Sequence, residues 1–415
     1  MRINIATLGT RGDVQPYLAL ARGLVARGHA VQIAGPEQFG EFVGSAGIDF
    51  APLPGEFLAL LDTPEGKAAV AGGKGFSAGF KLLKHVRPLM GRLLDAEWDA
   101  VRAFSPDLII HHPKSIASPH MAERLGIPHI LASPLPGFTP TAAFPSPLLP
   151  MANLGPFNRA SHRLSIHGGE LLFRKMLREW RFSTLGLGKR RAGSGPIATL
   201  YAYSPHVLPK PQDWDDSVGV TGYWFLDEGK GWTMPAGLGD FLDRGDPPIY
   251  VGFGSMPGVD PVRLGAVVVE ALARAGRRAI VATGGGALEI GDVPSHVHVL
   301  SSAPHDVLFR HVGAALHHGG AGTTGASLRA GLPTIICPFM GDQPFWARRV
   351  AALGCGPPPL DRNRLDVAAL AGAFAATGDA GMKDRAAILG RRIAAEDGVT
   401  AAVEHIERAA AGCGW

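Results

Sequence analysis

Cysteine is scarce in this chain of 415 residues, with Cys337, Cys355 and Cys413 the full set. Their positions match no metal spacing and cannot build a disulfide framework, so a stapled secreted scaffold is excluded and a reducing compartment is expected. Cys337 lies in an apolar run and reads as a small core residue. Long apolar runs are also missing. No window reaches the roughly 18 uninterrupted apolar residues of a spanning helix. The opening run, Met1 to Leu8, is too short for a signal peptide and reads as a strand, which points to the cytoplasm. Charge is modest, 18% of residues with a net of +4. No aromatic-basic module accompanies it, so a nucleic-acid partner is not expected. The glycine-rich stretch near residue 320 lacks the Gly-Lys-Ser/Thr of a Walker loop and is not a clean G-x-G-x-x-G.

What is present is a globular composition, 46% hydrophobic, at a length that suits two domains. Strand-like runs alternate with helical patterns. Ile3–Leu8 is followed by the turn Gly9 to Asp13, a helix from Val14 to Arg27 and a strand Ala30–Ala34. The pattern returns at 107–132 and again from Ile249 onward. Such alternation predicts parallel sheets with helices on both faces and ligands at the carboxyl ends of the strands. The expected architecture is α/β, two Rossmann-like doubly wound domains facing one another across a cleft. Residues 1–226 form the first domain, 227–246 a polar, glycine-rich linker, and 247–390 the second. Residues 391–415 are expected to be a helix crossing back to the first domain.

The stretch Leu316-His-His-Gly-Gly-Ala-Gly-Thr-Thr-Gly325 joins a strand to a helix start. Exposed N–H groups and the helix dipole there suit an anion, most often a phosphate. An unliganded glycine-rich turn would have the same sequence. The segment 156–192 holds nine basic and two acidic residues. Within it Leu164 to Arg181, like Phe76 to Leu94 with Pro88 interrupting, reads as an amphipathic helix packed on one face, or as a lid that binds an apolar acceptor or rests on a membrane surface.

Gly9-Thr-Arg-Gly-Asp-Val-Gln-Pro16, Gly252-Phe-Gly-Ser-Met256, His317 to Thr324 and Pro338-Phe-Met-Gly-Asp-Gln-Pro-Phe-Trp346 together resemble nucleotide-sugar-dependent glycosyltransferases of the two-Rossmann-domain type, GT-B, family 1. Within that group they are similar to sterol glucosyltransferases and to glycopeptide- and macrolide-tailoring transferases. Thr221-Gly-Tyr-Trp224 supports the sterol branch. The resemblance covers nearly the whole chain. It implies transfer of a hexose, glucose from UDP-glucose, to a hydroxyl of a lipophilic acceptor such as a sterol, with inversion and without a metal or resident cofactor. Asp13 becomes the general base. His317, Gly319, Gly320, Gly322, Thr323 and Ser255 become the diphosphate site, with Thr10 and Gly12 beside the donor. Asp342 and Gln343 become the pair that holds sugar hydroxyls. His318 reads equally as a core or capping histidine.

The resemblance has gaps. Where many relatives stack a tryptophan on the base, this chain has Ser302-Ala-Pro-His305, so nucleoside contacts are expected from backbone near Ser302 and from His305. Where many carry a ribose-binding glutamate, it has Gly325. The acceptor wall is expected from His112, Phe138, Phe144 and Phe173, with Phe57, Phe76 and Phe80 nearby. Asp213-Trp-Asp-Asp216 is a literal D-x-D in a polar loop and is not read as a metal site. Contact of 156–192 with an anionic membrane would make the protein peripheral rather than freely cytoplasmic. Alternatives are a transferase tailoring a polyketide or other natural product with a UDP- or dTDP-sugar, a nucleotide-sugar epimerase or hydrolase, and a binding protein without activity.

Overall fold

The computed structural model describes residues 1–56, 75–188, 195–229, 231–254, 256 and 260–414, including all of their side chains except those of 75–87, 169, 170 and 172. Aliphatic and β-branched runs bounded by turns form its strands. The first half contains β1 (Arg2–Ala6), α1 (Arg11–Ala26), β2 (Ala30–Pro36), α2 (Gly40–Gly44), β3 (Asp49–Leu53), α3 (Gly75–Phe104), β4 (Leu108–His111), α4 (Ser118–Leu125), β5 (His129–Ser133), α5 (Asn158–Ser183), β6 (Ala198–Tyr201) and β7 (Val218–Val220). The second half contains α6 (Ala236–Leu242), β8 (Ile249–Gly252), α7 (Pro261–Arg274), β9 (Ala279–Ala282), β10 (Val297–Leu300), α8 (His305–Leu308), β11 (Ala314–His317), α9 (Ala321–Arg329), β12 (Thr334–Ile336), α10 (Gln343–Ala352), α11 (Val367–Ala376), α12 (Ala380–Ala394) and α13 (Gly398–Ala411).

The strands make two parallel sheets, ordered β3-β2-β1-β4-β5-β6-β7 and β10-β9-β8-β11-β12. Both orders reverse direction once. In the first sheet the chain winds outward from β1 to β3 and then returns to place β4 on the other side of β1, with Ala6 opposite His111. In the second, β8 and β11 are the corresponding neighbours, with Gly252 opposite His317. A crevice opens at such a reversal, because the loops leaving the two strands diverge to opposite faces.

Helix starts follow local chemistry. Asp260, Asp366, Asp379 and Asp397 cap α7, α11, α12 and α13, each carboxylate accepting a backbone N–H in the first turn. Helix α3 runs through Pro88 instead of being interrupted there. Its Met90, Leu93 and Leu94 are buried, and that packing outweighs one missing backbone donor. Within 227–246, α6 buries Leu238 and Phe241 against Tyr250, Leu308 and Phe309 of the second body. Helix α13 does the reverse and packs Ala402, Val403 and Ile406 among Ile3, Leu20, Leu24 and Val31 of the first body. A third apolar cluster joins the bodies directly, with Tyr201, Tyr203 and Trp214 against Phe345, Trp346 and Ile336.

Candidate active site

The first reversal point carries Asp13. The turn after β1 needs Gly9 at φ +136°, and a Cβ there would lie 2.1 Å from Asp13 Oδ2. Thr10 caps α1, and its N–H donates to Asp13 Oδ2 at 2.8 Å, with its hydroxyl at 3.3 Å. From the loop after β4, Lys114 Nζ donates to Asp13 Oδ1 at 2.8 Å, and His112 Nε2 stands 3.5 Å from the same oxygen. Burial pushes the Asp13 carboxyl up, but the Lys114 ammonium and the hydrogen bonds pull harder, and the group rests below its ordinary value. Burial also pushes the His112 imidazole down to about 3, so it is neutral. Sequence reasoning missed Lys114, although the αβ order makes β1 and β4 candidates for neighbouring strands.

The second reversal point carries the loop from β11 to α9. The structure corrects the reading of its histidines. His317 is fully buried, accepting the Gly319 N–H at 3.0 Å through Nδ1 and donating from Nε2 to Ser327 Oγ at 3.3 Å. Its ring is spent inside the protein and cannot meet a ligand. Gly319, at φ +90°, is buried beneath the loop, where a Cβ would come within 2.5 Å of Ile336. His318 instead lines the cleft and has no partner on Nδ1. Burial, then the proximity of His305, pushes it down to about 4. Gly320, Gly322 and Thr323 line the cleft at the amino end of α9. The cleft-facing position at the next turn is Ala326; Gly325 packs on Tyr223, where a Cβ would lie 2.6 Å from the ring. A glutamate at 325 would therefore be misplaced.

Asp342 and Gln343 stand at the start of α10 and line the same cleft. Asp342 Oδ2 accepts the Trp346 indole N–H at 2.8 Å. Burial raises its carboxyl, Trp346 opposes that, and Asp13 across the cleft adds to the rise. Gln343 Oε1 accepts the N–H groups of Phe339 and Met340 at 2.7 and 3.0 Å, and its Nε2 donates to Met256 Sδ at 3.3 Å. Ser302 and His305 line the nucleoside end. The His305 ring stacks on Phe309 with centroids 4.5 Å apart and is neutral, pushed by burial to about 4. Trp232, in the segment before α6, lines the cleft too and was not singled out from sequence. Ser255 lies outside the described residues.

The cleft between the bodies has a volume of about 2620 Å³. Thr10, Gly12, His112, Phe138 and Phe173 line its first-body side. Phe144 does not. It packs on Phe345 and His162, with centroids at 5.6 and 5.7 Å, in the apolar seam between the bodies. Phe57 lies outside the described residues, as do the side chains of Phe76 and Phe80. Asp213, of the literal D-x-D, is consumed by Thr141, the Ala142 N–H and Arg159 at 2.7, 2.9 and 2.6 Å.

Comparison with known proteins agrees with this fold. Residues 3–144 match the Glycosyltransferase family 28 N-terminal domain, and residues 266–408 match the Erythromycin biosynthesis protein CIII-like C-terminal domain. Each half of the chain thus matches a domain of the two-domain glycosyltransferases. It is 38% identical to a sterol 3-beta-glucosyltransferase of Aspergillus fumigatus over 98% of this chain and 30% of that protein. It is 36% identical to a sterol 3-beta-glucosyltransferase of Arabidopsis thaliana over 97% of this chain and 65% of that one. The chain thus spans less than two thirds of the length of either relative. Its fold is that of the glycotransferase of kitacinnamycin, with a TM-score of 0.73 at 21% identity, covering 98% of both chains.

Proposed function

We propose that the chain transfers glucose from UDP-glucose to a hydroxyl of a sterol or a similar lipophilic acceptor, with inversion at the anomeric carbon. The observation that carries this reading is the placing of Asp13 and the α9 amino end on opposite sides of one cleft, with Asp13 close enough to Asp342 to add to the rise of its carboxyl. The donor diphosphate would lie at the first-turn N–H groups of α9 beside His318, where backbone donors and the helix dipole stabilise negative charge. The acceptor hydroxyl would give its proton to Asp13. Its oxygen would form the bond to the anomeric carbon as the bond to the diphosphate breaks, with the electron pair leaving on phosphate.

The sterol branch is favoured because the relatives matched over nearly the whole chain are sterol transferases. The apolar wall around Phe138 and Phe173 suits such an acceptor. The partner reading extends to an anionic membrane. Helix α5 borders the cleft with Phe173, Leu177 and Arg178, while Leu164, Leu171 and Phe182 are 71%, 66% and 77% exposed. Among the described residues no helix is long and apolar enough to cross a membrane.

The test is mass spectrometry of incubations with UDP-glucose, with and without a 3β-hydroxysterol. Sterol glucoside is the expected product. Glucose released without acceptor would point to a hydrolase, and products only from dTDP-sugars and a polyketide to the tailoring alternative. Asp13→Asn should lower transfer by roughly 10²–10⁴-fold, the usual cost of a lost base. Retention of more than about a tenth of the rate would remove Asp13 from that role.

A further inference from the structure

The two oxygens of Asp13 are not equivalent. Oδ2 is tied to the helix start by the Thr10 N–H at 2.8 Å and the Thr10 hydroxyl at 3.3 Å. Oδ1 faces Lys114 Nζ at 2.8 Å and His112 Nε2 at 3.5 Å. A hydroxyl that delivers a proton to Asp13 must therefore do so at Oδ1, where Lys114 stands.

His112 cannot take that proton itself. Its Nδ1 accepts the Lys114 backbone N–H at 3.0 Å. A neutral imidazole with Nδ1 so occupied carries its hydrogen on Nε2, directed at Oδ1. Lys114 is built differently at its two ends. Its backbone sits between His112 and Ser115, whose N–H donates to the His112 carbonyl at 2.9 Å and whose hydroxyl donates to the buried Glu97. Its side chain is 52% exposed, and four rotatable bonds let Nζ swing away from the carboxylate.

We propose that Lys114 is a positioning residue for the base: it holds Asp13 ionised and oriented in the open cleft, and yields its place on Oδ1 to the acceptor hydroxyl. This rests on the reading of Asp13 as the base. The groups facing Asp13 are Tyr17 on its own helix, His112 and Lys114 from the loop after β4, and Asp342 from the start of α10. Tyr17 donates its hydroxyl to the Ala132 carbonyl and is neutral, as is His112. Asp342 is an acid whose own carboxyl Asp13 pushes up, so it lends Asp13 no support. Lys114 favours the charge most strongly in this set, ahead of His112 and the Thr10 N–H.

Removal of the ammonium should raise the pH at which Asp13 ionises. The test is titration of the Asp13 side-chain carboxyl carbon by NMR in the whole chain, with Asp13→Asn to assign the signal. In Lys114→Met the midpoint should rise by about one pH unit or more, the usual effect of an adjacent opposite charge, and Lys114→Arg should restore it. In kinetics with UDP-glucose and a 3β-hydroxysterol, the acid limb of kcat/KM should move to higher pH by the same amount, since the base works only when ionised. An unmoved midpoint in Lys114→Met overturns the proposal, as does a lower plateau with an unmoved limb, which a merely structural contact would give. Full activity of Asp13→Asn would instead overturn the base assignment, whatever Lys114 does.

Discussion

His317 and His318 are neighbours in sequence and differ in everything else. His317 is enclosed and paired with Ser327 and Gly319, whereas His318 opens to the cleft with an unpartnered Nδ1. Their substitutions should separate accordingly. His317→Ala leaves the buried Ser327 hydroxyl and Gly319 N–H short of a partner, and should cost about 1–3 kcal/mol of stability in urea denaturation. His318→Ala should leave stability within about 0.5 kcal/mol. It should weaken UDP binding by roughly tenfold or more in calorimetry, the effect of losing a hydrogen bond to a charged group. That Gly320, Gly322, Asp342 and Gln343 line the cleft was legible in the sequence, because they lie in turns that follow strand carboxyl ends. The orientation of the histidines was not. Successive residues leaving a strand face opposite ways, and adjacency does not say which one faces the ligand. Lys114 was hidden for another reason. It lies 101 positions from Asp13, and only the order of the strands brings them together.

At the scale of elements, the alternation of strands and helices was readable from the apolar runs and the turns between them. Pro88 misled, because the burial that carries α3 across it comes from tertiary packing. Helix α5 illustrates how a pattern gains meaning once it is folded. Leu164, Leu171 and Phe182 fall within about 20° of one line along it. Arg163, Arg174, Lys175 and Arg178 are exposed around that line. This combination suits an interfacial helix, with the apolar stripe in the acyl boundary and the cations on headgroups. The protein should sediment with vesicles containing anionic phospholipid, and less so as salt is raised. Leu164→Asp and Phe182→Asp should each weaken that binding by roughly tenfold, since burying such a side chain is worth about 1.5–3 kcal/mol. Salt-independent indifference to such vesicles would remove the membrane from the list of partners.

The whole molecule is two sheets locked by crossing pieces. Arg348 of the second body donates to the Pro150 and Met151 carbonyls of the first at 3.0 and 3.2 Å. At the far end Arg27 pairs with Glu407 of α13 at 2.8 Å. These ties, with the apolar seam through Phe144 and Phe345, hold Asp13 opposite Asp342. Ile406→Ala should therefore destabilise the first body, although it lies beyond the second in sequence. A loss of about 2–5 kcal/mol in urea denaturation is expected for a fully enclosed isoleucine. The same crossing governs how the protein is made. As the chain leaves the ribosome, the first sheet emerges early but lacks Val403 and Ile406, so its apolar face stays uncovered while the whole second body is being synthesised. The first body is thus the earlier made and the later completed, and that interval is when the growing chain would most need a chaperone.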